Sequence, residues 1–408
     1  MDSVDSSETT PPTEVLSSVF HLYECRRDGD RLLYYGEALV PERMLLREIW
    51  PAFRSAGYEV QLAQTDRAQD VLVARPLDTP DDSLPWKNLL LLALTVCSTL
   101  FVGATAWYYV PASEIFSNPL SALQAWPFTA AVLGVLLIHE LGHYAMARYH
   151  GVDVSLPYVI PFIFPFGTMG AIIRMRGQMP DRKSLFDIGV AGPLAGLAAT
   201  IVITVIGLSL DPITVPERVL SGGGEVIVFN NPPLLDIIAV LINQPVAYGT
   251  AASPATNVPL NPVGAAILDL IGQPSVSDRT GVTVHPVIIG GWVGMFFTVL
   301  NLLPVGQLDG GHMLRAMLGE RQETVAAMVP LALFGLSAYL YYGRGLSINE
   351  SVGLWAFWGL FSTFIAFNGP AHPIDDTGID GKRMAVGVFT FLLGLLCFML
   401  VPIQLLGA

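Results

Sequence analysis

The sequence predicts an α-helical polytopic membrane protein that carries a small soluble α+β domain at its N-terminal end. Hydrophobic residues make up 52% of the 408 residues and charged residues only 13%, whereas soluble domains carry roughly a quarter charged residues. The apolar residues are also gathered in segments of the length that a bilayer requires, about 20 residues each. A chain of this kind buries its apolar surface in lipid.

The N-terminal part of the chain has a different composition. Residues 1–15 are rich in Ser, Thr, Pro and acidic side chains and are expected to form a disordered tail without the features of a signal peptide. Residues 16–80 predict a small α+β domain. It begins with a hairpin around Gly29, continues with a helix over residues 41–56, and ends with two more strands. Pro51 lies inside that helix and could kink or split it.

Residues 81–408 form the predicted transmembrane domain, with about six to seven helices. The apolar segments are residues 87–110, 127–149, 184–210, 284–303, 323–343, 350–368 and 383–407. A long section rich in Gly, Pro, Asn and Ser, residues 211–283, separates the third segment from the fourth. Its one apolar run, Leu234–Ile242, is too short to cross a bilayer.

Lys and Arg are concentrated in three loops, which follow the second and fourth segments and precede the seventh. Because positive residues favour the cytoplasmic side of a membrane, this bias predicts that the N-terminal domain and these loops face the cytoplasm. The net charge of −13 argues against a nucleic-acid partner. The three cysteines, Cys25, Cys97 and Cys397, lie too far apart in sequence for a zinc cluster and do not suggest a disulfide framework.

The second apolar segment contains a motif that is typical of a metal centre. His139 and His143 are four residues apart, so both imidazoles lie on one face of a helix and can bind one zinc ion. Glu140 lies beside them and could take a proton from water held by the metal. Ionisable groups at membrane depth are costly and usually functional. This motif therefore predicts a zinc site inside the membrane.

A candidate third ligand follows the fourth apolar segment, where the chain reads NLLPVGQLDGGH from Asn301 to His312. The second and fourth segments run in the same direction in the predicted topology, so their C-terminal ends meet in one half of the membrane. Asp309 would then complete a set of three protein ligands and leave a fourth position for water. Taken alone, Asp309 would be interpreted as a loop residue before a Gly-Gly turn, but its pairing with His139 and His143 favours a metal ligand. His312 could lie next to the ligands.

The two motifs together resemble the site-two protease family of intramembrane zinc metalloproteases, in its prokaryotic and chloroplast branch. The resemblance covers a core of about residues 127–320. It implies that His139, His143 and Asp309 bind Zn²⁺, that Glu140 activates the zinc-bound water, and that Asn301 helps to hold the substrate strand or the developing oxyanion.

The same resemblance implies a membrane-dipping β-hairpin between the second and third segments. Residues 156–177 contain several prolines, and TMGAIIRMR, which begins at Thr168, alternates like a strand. An edge strand beside the metal could pair with an unwound substrate, with Gly170, Ala171 and Ile172 as the binding residues. A simple interfacial loop is the alternative.

The expected function is therefore regulated intramembrane proteolysis, the hydrolysis of peptide bonds within or near transmembrane segments of other membrane proteins. The expected location is the cell membrane, as a multi-pass protein with the active site toward the cytoplasm. A metal transporter and a catalytically inactive scaffold remain non-enzymatic alternatives. A prenyl-protein type of membrane protease would take its third ligand from a Glu-containing helix, which the sequence does not show. The oligomeric state and the substrate are not predicted.

Overall fold

The computed structural model describes residues 13–64, 70–77, 84–162, 165–175, 177–213, 216, 226–242, 284–369 and 371–406. These residues form two compact units. The first contains the N-terminal residues together with 177–182 and 372–377, and the second contains the other described residues from Pro85 onward. Most of the predicted disordered tail and most of the 211–283 section lie outside the described residues.

The first unit contains a four-stranded antiparallel sheet in the order β1-β2-β4-β3. Its elements are Phe20–Asp28 (β1), Arg31–Ala38 (β2), Glu42–Ser55 (α1), Tyr58–Gln64 (β3) and Asp70–Pro76 (β4), and a 3-10 segment precedes them at Thr13–Ser18. The predicted hairpin, helix and two further strands are all present. Helix α1 continues through Pro51, which is exposed, so the carbonyl group left without a helical partner can face water.

The core of the first unit lies between α1 and one face of the sheet. Leu45, Ile49 and Phe53, spaced four residues apart, are fully buried on the inner face of the helix. They pack in one cluster with Tyr34 and Leu72 of the sheet. Burying such side chains stabilises a domain by about 1.5–3 kcal/mol each.

Two segments that are distant in sequence belong to this unit. The Gln178 side chain donates to the Val60 carbonyl of β3 at 2.9 Å. The backbone N–H of Ile374 donates to the Met179 carbonyl at 2.9 Å, which joins the two segments. Arg47 of α1 lies 3.8 Å from the Asp375 carboxylate. The sequence analysis placed the domain boundary near residue 80 and did not foresee these additions.

The second unit is mostly helical. Its helices are Trp86–Val102 (α2), Ala112–Ser117 (α3), Trp126–Tyr149 (α4), Arg182–Ser209 (α5), Pro233–Leu241 (α6), Val287–Asn301 (α7), Asp309–Leu318 (α8), Gln322–Ala338 (α9), Gly353–Asn368 (α10) and Gly381–Cys397 (α11). Its strands are Tyr158–Pro161 (β5), Thr168–Ile172 (β6), Val226–Phe229 (β7) and Ile403–Leu406 (β8).

Four helical stretches in the described part of the chain are long and apolar enough to cross a membrane. They are Trp86–Trp107, Pro119–Tyr149, Arg182–Ser209 and Asp309–Gly343. Helix α7 is apolar but has only 15 residues, or about 22 Å, against a hydrocarbon thickness of about 30 Å. The last two helices, with 16 and 17 residues, also fall outside this set. The predicted count of six to seven spans is therefore not confirmed.

Strands β5 and β6 form the predicted two-stranded hairpin, with Ala171 opposite Val159 and Ile172 opposite Tyr158. Helix α2 holds the hairpin through side chains. Thr95 Oγ1 donates to the Val159 carbonyl at 3.0 Å, and Ser98 Oγ donates to the Gly167 carbonyl at 2.6 Å.

Helices α4, α5 and α7 pack closely and surround the candidate site described below. Gly290 of α7 leaves room for Ala131 of α4, since a Cβ at residue 290 would lie 2.5 Å from the Ala131 side chain. On another face of α7, Gly294 leaves room for the Thr200 hydroxyl of α5. Small residues allow helix backbones to approach in this way.

Candidate metal centre

Helix α4 presents three ionisable side chains in its last turns. His139, Glu140 and His143 are all buried, although they lie in a helix whose composition suits a membrane. The two imidazole rings are neighbours on one face, with centroids 4.9 Å apart and planes at 69°. This is the arrangement that the four-residue spacing predicts.

Asp309 reaches these histidines because the chain turns sharply between α7 and α8. Helix α7 ends at Asn301, and α8 begins at Asp309. A Cβ at residue 310 would overlap the Leu302 carbonyl, and a Cβ at residue 311 would overlap the Gly306 carbonyl, in the turn between the two helices. The two glycines therefore let the turn fold against the start of α8. Asp309 is the first residue of a helix, so the alternative of a loop residue before a Gly-Gly turn does not describe it.

The three predicted ligands form a compact triangle. His143 Nε2 and His139 Nε2 are 3.2 Å apart. The Asp309 carboxylate places Oδ2 3.1 Å from His139 Nε2 and Oδ1 3.1 Å from His143 Nε2. Tetrahedral zinc with bonds of about 2.0–2.2 Å needs ligand atoms about 3.3–3.6 Å apart. The observed distances of 3.1–3.2 Å are slightly shorter than this range, so the ligand atoms would move apart by a few tenths of an ångström on binding zinc, and two imidazoles with a carboxylate fit zinc in donor type.

A backbone carbonyl orients one of the imidazoles. His143 Nδ1 lies 2.7 Å from the Ile188 carbonyl of α5, so Nδ1 carries the proton and donates to that oxygen. The other ring nitrogen, Nε2, is then the atom with a free electron pair, and it faces His139 and Asp309. Metal-bound histidines commonly have a hydrogen-bond acceptor of this kind behind the ring.

Asn301 and Glu140 border the triangle. Asn301 Nδ2 lies 3.3 Å from His139 Nε2, so the last residue of α7 faces the candidate site as the sequence analysis expected. Glu140 is buried on α4 directly beside His139 in sequence.

The predicted substrate residues lie near this centre but not in it. Gly170, Ala171 and Ile172 belong to β6, which packs against α4. Ile172 is 55% exposed. The role of these three residues in substrate binding stays a prediction.

His312 lies close to the site without joining it. Its Nδ1 accepts from the backbone N–H of Ala371 at 3.4 Å. This bond joins the buried ring, in the first turn of α8, to the segment that follows α10. His285 lies at the opposite end of α7, edge-on to Tyr108.

Sequence reasoning missed three groups that contact the centre, namely the Ile188 carbonyl and two glycines of α5, Gly192 and Gly196. A backbone carbonyl group leaves no trace in the sequence. The glycines lie in the stretch VAGPLAG of residues 190–196, whose small residues suit close helix packing but do not identify the group packed against them.

Sequence comparison agrees with the geometry of the site. Residues 127–337 match peptidase family M50, and this stretch is slightly more than half of the chain. The chain belongs to peptidase family M50. The resemblance to site-two proteases is thereby confirmed, and the M50 match includes all three candidate ligands, Glu140 and Asn301.

Curated relatives of this M50 chain are plant proteins. It is 30% identical over 349 residues to the chloroplastic probable zinc metalloprotease EGY1 of Oryza sativa subsp. japonica. The matched stretch covers 79% of this chain and 52% of that protein. It is 33% identical over 294 residues to EGY1 of Arabidopsis thaliana, covering 67% and 46%. It is 27% identical over 393 residues to EGY3 of Oryza sativa subsp. indica, covering 90% and 60%.

The M50 chain spans about half the length of the curated relatives it matches. The names of those relatives describe probable zinc metalloproteases in chloroplasts, whereas the sequence analysis expected a cell-membrane location for this chain.

Proposed function

We propose that this chain is an intramembrane zinc metalloendopeptidase that hydrolyses peptide bonds within or near transmembrane segments of membrane proteins. The observation that carries this proposal is the triangle of His139, His143 and Asp309, with donor atoms 3.1–3.2 Å apart and the buried carboxyl group of Glu140 next to it. Membership of family M50 supports the same reaction class.

His139, His143 and Asp309 would hold the metal through their Nε2 and carboxylate atoms. Zinc in such a set acts as a Lewis acid that polarises a carbonyl group and makes water more acidic. Because two of these ligands lie on α4 and the third lies on α8, both helices must be in place before a metal can bind. Three protein ligands leave the fourth position for the reacting groups.

Glu140 would move the proton. Its carboxylate accepts a proton from the attacking water as the new C–O bond forms, and then gives this proton to the amine nitrogen as the C–N bond breaks. Burial keeps bulk water away from the carboxyl group, so the transferred proton stays in the site.

Asn301 would bind the substrate. Its amide nitrogen lies 3.3 Å from His139 Nε2 and thus on the border of the metal triangle. An amide N–H in this position can donate to the oxygen of the scissile peptide as negative charge develops there. Asn301 would then contribute to catalysis without binding the metal.

The substrate must be extended near the site, because the carbonyl groups of an intact helix are already hydrogen-bonded. We propose that β6, with Gly170, Ala171 and Ile172, adds the unwound segment to the hairpin as a further strand. β6 pairs with β5 along one edge and packs against α4, the helix that carries Glu140. A strand added to the other edge of β6 would then lie near that helix.

The proposed setting is a lipid bilayer that the chain crosses several times, with six to seven spans if the shorter helices α7, α10 and α11 also cross. The Lys and Arg bias of the loops supports a cell-membrane topology in which the N-terminal domain and the active site would face the cytoplasm. Cleavage on that side would release the cytoplasmic part of a membrane-held regulator. This is the outcome expected for regulated intramembrane proteolysis.

Metal content and cleavage by the purified full chain in detergent test the proposal. The comparison is between the wild type, Glu140→Gln, and Glu114→Gln as a matched control, since Glu114 is an exposed residue of α3. We expect one zinc per chain in all three proteins and cleavage of a single-span substrate in all but Glu140→Gln. Cleavage that does not depend on Glu140, or a wild type without zinc, would overturn the proposal.

A further inference from the structure

Two glycines of α5 lie directly against the two imidazoles of α4. A Cβ at residue 192 would overlap the imidazole ring of His143. A Cβ at residue 196 would lie 2.8 Å from His139 Nδ1 and 3.1 Å from His139 Cβ, well inside the roughly 3.5–4.0 Å of a favourable contact. The glycines are four residues apart, as the histidines are, and the antiparallel helices pair them in opposite order.

We propose that Gly192 and Gly196 are positioning residues that set the orientation of the His143 and His139 rings and thereby the affinity of the site for its metal. This inference rests on the proposed metal site and goes beyond it to residues that touch neither metal nor substrate. Each ring is confined between a glycine of α5 and the Asp309 carboxylate. Each ring packs directly against α5 and therefore keeps its orientation toward the other ligands. A methyl group at either glycine would push the facing imidazole out of that orientation.

The carbonyl of Ile188 belongs to the same stripe. Ile188, Gly192 and Gly196 follow one another at intervals of four residues, so they lie on one face of α5. Pro193 lies inside this helix, and a proline ring disturbs the preceding turn because it lacks an N–H and crowds the carbonyl four residues before it. The carbonyl four residues before Pro193 belongs to Gly189, and the residue next to it, Ile188, has the carbonyl that accepts from His143 Nδ1. One stripe of α5 thus provides both the space for the rings and the acceptor that fixes the His143 tautomer.

Other glycines at close helix contacts of this unit face different groups. A Cβ at Gly207, also on α5, would lie 2.6 Å from the backbone nitrogen of Ile288. Gly290 and Gly291 of α7 face Ala131 and Thr204. Among the glycines in the described part of the chain, Gly192 and Gly196 are the two whose nearest neighbours are imidazole atoms of the candidate ligands.

Gly196→Ala and Gly207→Ala are a matched pair. They lie on the same helix and create overlaps of similar depth, 2.8 Å and 2.6 Å, but one meets an imidazole and the other a backbone. The probe is Co²⁺ bound to the full chain in detergent, with affinity measured by competition with a chelator and ligand geometry read from the visible absorption spectrum. The thermal unfolding of the metal-free proteins measures packing alone.

We expect Gly196→Ala to bind Co²⁺ about 10- to 100-fold more weakly, the range for residues that orient metal ligands, and with a changed spectrum. Gly207→Ala should lower the unfolding temperature at least as much and keep the wild-type affinity and spectrum. Gly192→Ala should show a larger loss than Gly196→Ala because its overlap is deeper, and if it does not fold, Gly196→Ala decides alone.

Wild-type affinity and spectrum in Gly196→Ala would overturn the inference and leave a packing role for the glycine. The same result in both alanine variants, with equal losses of affinity, would also overturn it. A wild type that binds neither Co²⁺ nor Zn²⁺ would instead overturn the proposed metal site, so the two failures can be distinguished.

Discussion

His139 Nε2 and Asp309 Oδ2 lie 3.1 Å apart, although 170 residues separate them in the chain. The contact joins the last turns of one apolar helix to the first residue of another, across a sharp turn that two glycines permit. A buried imidazole and a half-buried carboxylate at this distance, with a second imidazole beside them, make a preformed site for a cation.

Asp309→Asn should remove most of the metal affinity. The amide keeps the shape of the side chain but lacks the negative charge and one acceptor oxygen, so Zn²⁺ binding should weaken by at least about 100-fold. Competition of the purified full chain with a chelator measures the change. Asp211→Asn, at an exposed aspartate away from the site, should keep the wild-type affinity. Unchanged affinity in Asp309→Asn would show that the carboxylate is not a ligand.

Zinc should stabilise the second unit by mass action. A ligand that binds only the folded state adds about 2.7 kcal/mol at a free concentration 100 times its dissociation constant. Thermal unfolding of the wild type should therefore move to higher temperature with added Zn²⁺ and to lower temperature with a chelator. Asp309→Asn should show neither shift. An equal shift in both proteins would indicate zinc binding elsewhere.

Arg383 should stabilise the second unit through Asp187. Its Nε and Nη2 donate to the two Asp187 oxygens at 2.8 Å and 2.7 Å, and His150 Nε2 lies 3.0 Å from the same carboxylate. Arg383→Met should leave Asp187 mostly buried with less compensation, at a cost of about 1.5–3 kcal/mol for hydrogen bonds to a charged group. Unfolding of the full chain in detergent measures this loss.

The exposed Arg344 provides the control for that experiment. Arg344→Met should change the unfolding free energy little, because surface substitutions stay within about 0.5 kcal/mol. Asp187→Asn combined with Arg383→Met should recover part of the stability, since it removes the charge left behind. A double variant that is no more stable than Arg383→Met would contradict the pairing.

Tyr34→Phe should not destabilise the first unit. The Tyr34 hydroxyl is fully buried, and no hydrogen-bond partner lies within reach among the described residues. Removing a buried hydroxyl without a partner is neutral or stabilising, by up to about 1 kcal/mol. Hydrogen exchange of the β2 and β4 amides in the full chain should be equal or slower in the variant. Faster exchange would mean that the hydroxyl has a stabilising partner.

The same substitution has a consequence at high pH. Burial raises the pKa of Tyr34 above the ordinary value of 10.0, so the unfolded state loses this proton at lower pH than the folded state. The stability that depends on the proton is complete below pH 10 and is lost as the pH rises toward the folded pKa. The difference in stability between Tyr34→Phe and the wild type should therefore grow above pH 10. A difference that stays constant with pH would contradict the raised pKa.

The chemistry of the site could be predicted from the sequence because it depends on spacing. His139 and His143 share a helix face by their four-residue interval, and the Asp309 segment stands out because Asn301 and Pro304 interrupt an apolar run. The hairpin of Tyr158–Ile172 was also predicted, and the structure contains it.

Other parts could not be predicted, for physical reasons. The start of α8 at Asp309 depends on glycine contacts with backbone carbonyls, which have no sequence pattern. The joining of residues 177–182 to the first unit depends on polar backbone contacts such as Gln178 with Val60. The role of Gly192 depends on which side chain faces it. The number of spans depends on where short apolar helices end relative to a bilayer.

X-ray absorption at the zinc edge of the purified full chain tests the central claim most directly. A zinc ion bound by His139, His143 and Asp309 should have nitrogen and oxygen neighbours at about 2.0–2.2 Å, with outer-shell scattering from two imidazoles. In His143→Ala this scattering should fall to that of one imidazole or disappear. Sulfur neighbours at about 2.3 Å, or a spectrum that His143→Ala leaves unchanged, would contradict a zinc site built from His139, His143 and Asp309.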